Sequence, residues 1–118
     1  MAKILITDDS MFMRMTLATI LKQVGHEICE ASNGEEMLKI YDVEKPDIVT
    51  LDITMPVMDG LAALKELRKR HSDAKVIMCS AMGQKAMVIE AVQNGAYDFI
   101  VKPFKEDRVY ETIDKAVK

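Results

Sequence analysis

The chain has 118 residues, 49% of them apolar and 30% charged, with a net charge of −3. That is enough for one domain around one core. It excludes a disordered chain and, with no apolar stretch near the ~18 residues that span a bilayer, a membrane protein. Lys and Arg are scattered, so no basic footprint for nucleic acid is present, and the start of the chain lacks the apolar run of a signal peptide. The expectation is a cytoplasmic, monomeric protein.

Lys3 to Thr7 reads as a buried strand, ending in Asp8-Asp9-Ser10. Two adjacent carboxylates after a buried strand repel each other, and a helix cap by Asp9 or Ser10 explains only one of them. The first helix then runs to about Val24 and stops at Gly25, with Leu17, Ile20, Leu21, Val24 and Met13 as its core stripe. Met11, Phe12 and Met15 fall off that stripe, beside the carboxylates. Glu27 to Ala31 is a second strand, Asn33-Gly34 a turn, and Glu35 to Val43 a helix with Met37, Leu38 and Tyr41 on one side. Asp47 to Leu51 is a third strand, more continuously apolar than alternating, as a central parallel strand should be. The loop Asp52 to Gly60 follows; Pro56 restricts it and Gly60 frees the backbone at the next helix.

A third helix spans Leu61 to Arg70, and Lys75 to Cys79 is a fourth strand. After Ser80-Ala81-Met82-Gly83 comes a helix reaching Gln93, with Ala86, Ile89 and Val92 as its core stripe. Met87, Val88 and Ala91 then lie outside it. Tyr97 to Val101 is the fifth strand, Lys102-Pro103-Phe104 a turn, and Glu106 begins the last helix. Cys29 and Cys79 fall in strand-like runs and read as small core residues rather than a disulfide. His26 and His71 read as solvated turn residues. Strands alternating with helices through short loops imply right-handed parallel crossovers with helices on both faces. The fold class is therefore α/β: a doubly wound five-stranded parallel sheet of flavodoxin-like type.

Asp8, Asp9, Asp52, Ser80 and Lys102 all end or follow strands, at the sheet edge where open α/β folds bind ligands. Three carboxylates there suit a hard cation such as Mg²⁺, which takes oxygen ligands, keeps waters and accepts phosphate oxygens. Asp9, Asp52 and a loop carbonyl would ligate it, with Asp8 acting through water or from behind the direct ligands. Lys102 and Ser80 would hold phosphoryl oxygens.

These blocks, Asp8-Asp9, Asp52 with Met55-Pro56-Val57-Met58-Asp59-Gly60, Ser80-Ala81 and Lys102-Pro103-Phe104, resemble the receiver domains of two-component response regulators over the whole chain. Within that family the chain is most similar to single-domain chemotaxis regulators. The resemblance implies strand order 2-1-3-4-5, a single receiver domain over 1–118 with no output domain, and a phosphorylation switch rather than a turnover enzyme. Asp52 would be the phospho-acceptor. Asp9, Asp52 and the Thr54 main-chain carbonyl would bind Mg²⁺ (or Mn²⁺), assisted by Asp8. Lys102 would pair with Asp52 and then with the phosphoryl group, and Ser80 would move toward it. Phe99 stands at the aromatic switch position and Met82 where hydrolysis is tuned; a cis bond is implied at Lys102-Pro103.

The implied partners are a chemotaxis-type sensor histidine kinase, the flagellar motor switch as downstream target, and a phosphatase. The partner surface would hold Met87, Val88, Phe99 and Tyr110; Met11, Phe12 and Met15 would meet the phosphatase. The alternatives are a phosphorelay intermediate, a Mg²⁺-dependent aspartyl-phosphate phosphatase and a small flavin carrier. Asp52-Ile53-Thr54 lacks the second Asp such a phosphatase would use as its general acid. Asp8-Asp9 would repel a flavin phosphate.

Overall fold

A computed structural model describes residues 2–118. Five strands alternate with five helices: β1 (Lys3–Thr7), α1 (Met11–Lys22), β2 (Glu27–Ala31), α2 (Gly34–Glu44), β3 (Ile48–Asp52), α3 (Gly60–Arg70), β4 (Val76–Ser80), α4 (Lys85–Gln93), β5 (Asp98–Val101) and α5 (Glu106–Val117). They form one parallel sheet in the order β2-β1-β3-β4-β5, so the doubly wound fold and its strand order are as the sequence implies.

Side chains alternate between the two sheet faces, and each face has its own core. Leu5, Val49, Leu51, Val76 and Met78 pack under α2, α3 and α4 with Met37, Leu64, Leu67 and Val88. Ile4, Ile6, Ile48, Ile77, Cys79 and Ile100 pack under α1 and α5 with Leu17, Leu21, Val109 and Ile113. Three helices carry side-chain caps. Ser10 Oγ accepts from the Met13 N–H at 3.2 Å, Asn33 Oδ1 from Glu36 at 2.8 Å, and Asp59 Oδ1 from Ala62 at 2.9 Å. Each satisfies an N–H left unpaired in the first turn.

Several details depart from the sequence reading. α1 ends at Lys22, and Val24 is exposed beyond it. β3 and β4 each extend one residue further than expected, so Asp52 and Ser80 belong to the strands. Ser80 is thereby excluded as a helix cap. Gly60 is needed for space rather than for freedom of φ: a Cβ there would lie 2.1 Å from the Asp52 carbonyl oxygen. The largest correction is α4. Val88 is 8% exposed and Ala91 fully buried, whereas Ile89 and Val92 are about half exposed, at 50% and 49%. The helix is apolar nearly all round, so periodicity offered two stripes, and packing chose the one with the smaller side chains.

Candidate functional site

Alternation along the strands decides which groups meet. Asp8 follows Ile4 and Ile6, Asp52 follows Ile48 and Thr50, and Lys102 follows Ile100, so all three continue the rows of the α1/α5 face. They do converge. Lys102 Nζ lies 2.8 Å from Asp8 Oδ2 and 3.3 Å from Asp52 Oδ1. Carboxylate oxygens of Asp8, Asp9 and Asp52 all lie within 4.8 Å of one another. Asp8 and Asp52 are buried, and Asp9 is exposed at the mouth. Ser80 follows Val76 and Met78, the rows of the opposite face, and ends β4 one residue past Cys79, the register partner of Asp52, on the α4 side. Phe99 pairs in register with Met78 and also lies against that core, half-buried.

Asp8 is more firmly placed than the sequence suggests. Its Oδ1 accepts from the Ser10 N–H at 2.9 Å, its Oδ2 from Lys102, and its main-chain carbonyl from the Arg14 guanidinium at 2.6 Å. The expected Lys102–Asp52 pair therefore exists, but the closer partner of Lys102 is Asp8. Strand alternation puts Asp8, Asp52 and Lys102 on one face but does not choose between the two carboxylates. Arg14 had no mark in the sequence.

The electrostatics match the crowding. Burial, then the charges of Asp8 and Asp9, push the Asp52 carboxyl above its ordinary range, with Lys102 pulling the other way. Burial disfavours the Lys102 ammonium, but its bonds to Asp8 and Asp52 outweigh this and raise its pKa. Cys79, fully buried beneath, is pushed up to about 12 by desolvation and stays a neutral thiol. Three carboxylates held by one ammonium keep a net negative charge, and their donors are all oxygen. That set fits a small divalent cation, with Mg²⁺ the natural choice. Thr54, whose carbonyl was expected to complete the ligand set, is exposed one residue past Ile53.

The four expected contact residues do not form one patch. Met87 is exposed and Phe99 half-buried, but Val88 points into the core. Tyr110 packs on the α1 side, where its hydroxyl bonds Gln23 at 3.2 Å. Instead Ile89, Val92, Phe99, Val101 and Met82, with Val88 as floor, line an apolar groove of about 420 Å³ between α4 and β5, ending at Ser80. Met11, Phe12 and Met15 are exposed on the first turn of α1, as expected.

The response regulator receiver domain model matches residues 4–114. The chain belongs to that family. It is 58% identical to the chemotaxis protein CheY of Listeria monocytogenes over 100% of both chains. It is 55% identical to CheY of Thermotoga maritima over 98% of each. Among solved structures, the receiver domain of NtrX from Brucella abortus superposes with a TM-score of 0.94, at 38% identity over 97% of each chain. CheY of Borrelia burgdorferi, in a complex with CheX, BeF₃ and Mg²⁺, superposes with a TM-score of 0.92 at 38% identity, covering 98% of this chain and 89% of that one. The fold is thus CheY-like, and the chain is a receiver: a signalling switch controlled by phosphorylation. Among the described residues no helix is long and apolar enough to cross a membrane.

Proposed function

We propose that Asp52 is the phospho-acceptor, taking its phosphoryl group from a phosphohistidine of a chemotaxis-type sensor kinase in the cytoplasm. The observation that carries this reading is the position of the Asp52 carboxylate: buried at the end of the central strand, 3.3 Å from Lys102 and within 4.8 Å of the Asp8 and Asp9 oxygens. A carboxylate oxygen of Asp52 attacks phosphorus in line; the new O–P bond forms as the P–N bond breaks, and the imidazole leaves with the N–P electron pair. Mg²⁺, when held by Asp9, Asp52 and the Thr54 carbonyl with Asp8 behind, supplies charge neutralisation for the phosphoryl oxygens.

The chain's own groups do the rest. Asp8 anchors Lys102, so the ammonium turns from Asp52 to a phosphoryl oxygen without losing its other partner. Ser80 approaches from the α4 side and donates its hydroxyl to a second oxygen, drawing the start of the β4–α4 loop toward Asp52. Phe99 shares that face and turns into the space so vacated. The α4–β5 groove is thereby reshaped, and its apolar rim binds the downstream protein, for which the flagellar motor switch is our reading. The exposed Met11, Phe12 and Met15 flank the opposite side of the site, where a phosphatase would dock.

Incubation with Mg²⁺ and acetyl phosphate or phosphoramidate tests this by intact mass. The expected result is the metal-dependent gain of one base-labile phosphoryl group, absent from Asp52→Asn. Steady phosphate release without an adduct would instead mark a phosphatase.

A further inference from the structure

One side chain ties together the two loops that flank Asp52. Gln84 occupies the N-cap position of α4, yet its side chain caps nothing in that helix. Its Oε1 accepts from the Ala81 main-chain N–H at 2.7 Å, and its Nε2 donates to Thr54 Oγ1 at 2.9 Å. Its own carbonyl accepts from the Val88 N–H at 3.0 Å and so opens α4. The orientation of the amide is fixed by chemistry: the Ala81 N–H can only donate, so the oxygen must face it and the nitrogen must face Thr54. A primary amide offers a donor and an acceptor on neighbouring atoms; a carboxylate of the same length would keep only the acceptor.

Ala81 directly follows Ser80, and Thr54 lies two residues past Asp52 in the metal-proximal loop. When Ser80 closes on a phosphoryl group, the Ala81 N–H moves with it. Gln84 then either loses one of its two bonds or drags the start of α4 along. We propose that Gln84 is a positioning residue for the switch, a latch that holds Ser80 and Ala81 in the resting position by bridging them to Thr54. This rests on the acceptor role proposed for Asp52. The latch opposes closure in the resting protein and couples closure to the N-terminus of α4, the helix that borders the groove.

Titration of the full chain with beryllium fluoride and Mg²⁺, followed by NMR, reads the closure equilibrium. Gln84→Leu should bind beryllium fluoride about three- to tenfold more tightly than wild type, the worth of one net hydrogen bond. Gln84→Glu keeps an acceptor for the Ala81 N–H and, because the Thr54 hydroxyl can turn to donate, one for Thr54 as well, so it should stay close to wild type. Thr54→Val should also tighten binding, and the double variant with Gln84→Leu should do no more than Gln84→Leu alone. In the metal-free, unphosphorylated protein the Ala81 amide should exchange with solvent faster in Gln84→Leu than in wild type, which a purely structural role in α4 would not single out.

Unchanged affinity in Gln84→Leu, independent addition of the two single effects, or an unaltered Ala81 exchange rate would each overturn the latch. Failure of the wild-type protein itself to bind beryllium fluoride would overturn the acceptor reading instead, and the Ala81 comparison would still decide the latch.

Discussion

The β3–α3 and β4–α4 units lie side by side on the same face of the sheet and are built to opposite specifications. After Asp52 the chain is pinned at several points. Ile53 and Met55 are buried, the Gly60 N–H donates to the Ile53 carbonyl at 2.7 Å, and Asp59 caps α3. Helix α3 then buries Ala63, Leu64 and Leu67 completely and ends in Arg68, Lys69 and Arg70, which complement its C-terminal dipole. After Ser80 the chain is held chiefly by the Gln84 bridge between Ala81 and Thr54. Helix α4 has no side-chain cap bond, no acidic residue in its first turn and no basic residue in its last, and it buries only Val88 and Ala91. The limb that carries the acceptor is a scaffold, whereas the limb that carries the hydroxyl is free to shift. A switch needs both, because a group that moves conveys information only relative to one that does not.

The comparison breaks most readily in the core that α3 and α4 share. Leu64→Ala should cost about 2–5 kcal/mol, the usual range for a buried leucine whose cavity cannot collapse. Val88→Ala should cost only about 1.6 kcal/mol, two methylene-sized groups at about 0.8 each, because its surroundings give way. Chemical denaturation of both variants checks this. Equal losses, with α4 as protected as α3 in hydrogen exchange, would mean that the two limbs are equally fixed.

A smaller effect, of opposite sign, is expected where the rigid limb begins. The Asp52 carboxyl is raised in the fold, mainly by burial and by Asp8. Its titration therefore contributes stability that is fully present below the unfolded carboxylate pKa and is lost as pH rises through the folded value. Above the folded value that stability is gone, and the charged carboxylate is held buried beside Asp8. Asp52→Asn should thus stabilise the protein at pH 7, within the ~0.5–3 kcal/mol span of ordinary single substitutions, since Lys102 keeps Asp8 at 2.8 Å. The gain should vanish on acidification below the carboxylate range. Added Mg²⁺ should narrow it at pH 7, by stabilising the wild type more. Thermal midpoints of both proteins across pH, with and without Mg²⁺, give the answer; an unchanged or lowered midpoint at pH 7 would remove the case for crowding.

The same contrast explains what could be read from the sequence. The sheet and its charged edge were legible because β1, β3, β4 and β5 are largely apolar runs that end in, or just before, a polar or charged group; Ile48-Val49-Thr50-Leu51 followed by Asp52 leaves little choice. α3 was legible because Ala63, Leu64 and Leu67 stand against Lys65, Glu66, Arg68 and Lys69. α4 was not, because Ala86-Met87-Val88-Ile89 and Ala91-Val92 supply two equally apolar stripes, and only contact with Met78 and the α3 side chains selects between them. That Lys102 shares a face with both Asp8 and Asp52 followed from strand alternation, but its closer approach to Asp8 did not, since both carboxylates lie on that face. The Gln84 bridge had no sequence signal at all, since it depends on the shapes of two loops.

The exposed stripe of α4 gives the smallest expected effect on stability and the sharpest test of what its loose attachment is for. Ile89 and Val92 are half exposed, so Ile89→Asp and Val92→Asp remove little buried area and should change the unfolding free energy by no more than about 0.5 kcal/mol, as at ordinary surface sites. Phosphoryl uptake should also be unaffected, because neither side chain is among those that reach Asp52. Binding of the phosphorylated form to its downstream protein should nevertheless fall steeply, since each substitution puts a charge on the rim of the apolar groove beside Phe99 and Val101. Met87→Asp, outside the residues that line the groove, should weaken binding less. If all three variants bound equally well, the groove would not be the output surface, and the exposed first turn of α1, with Met11, Phe12 and Met15, would be the next place to look.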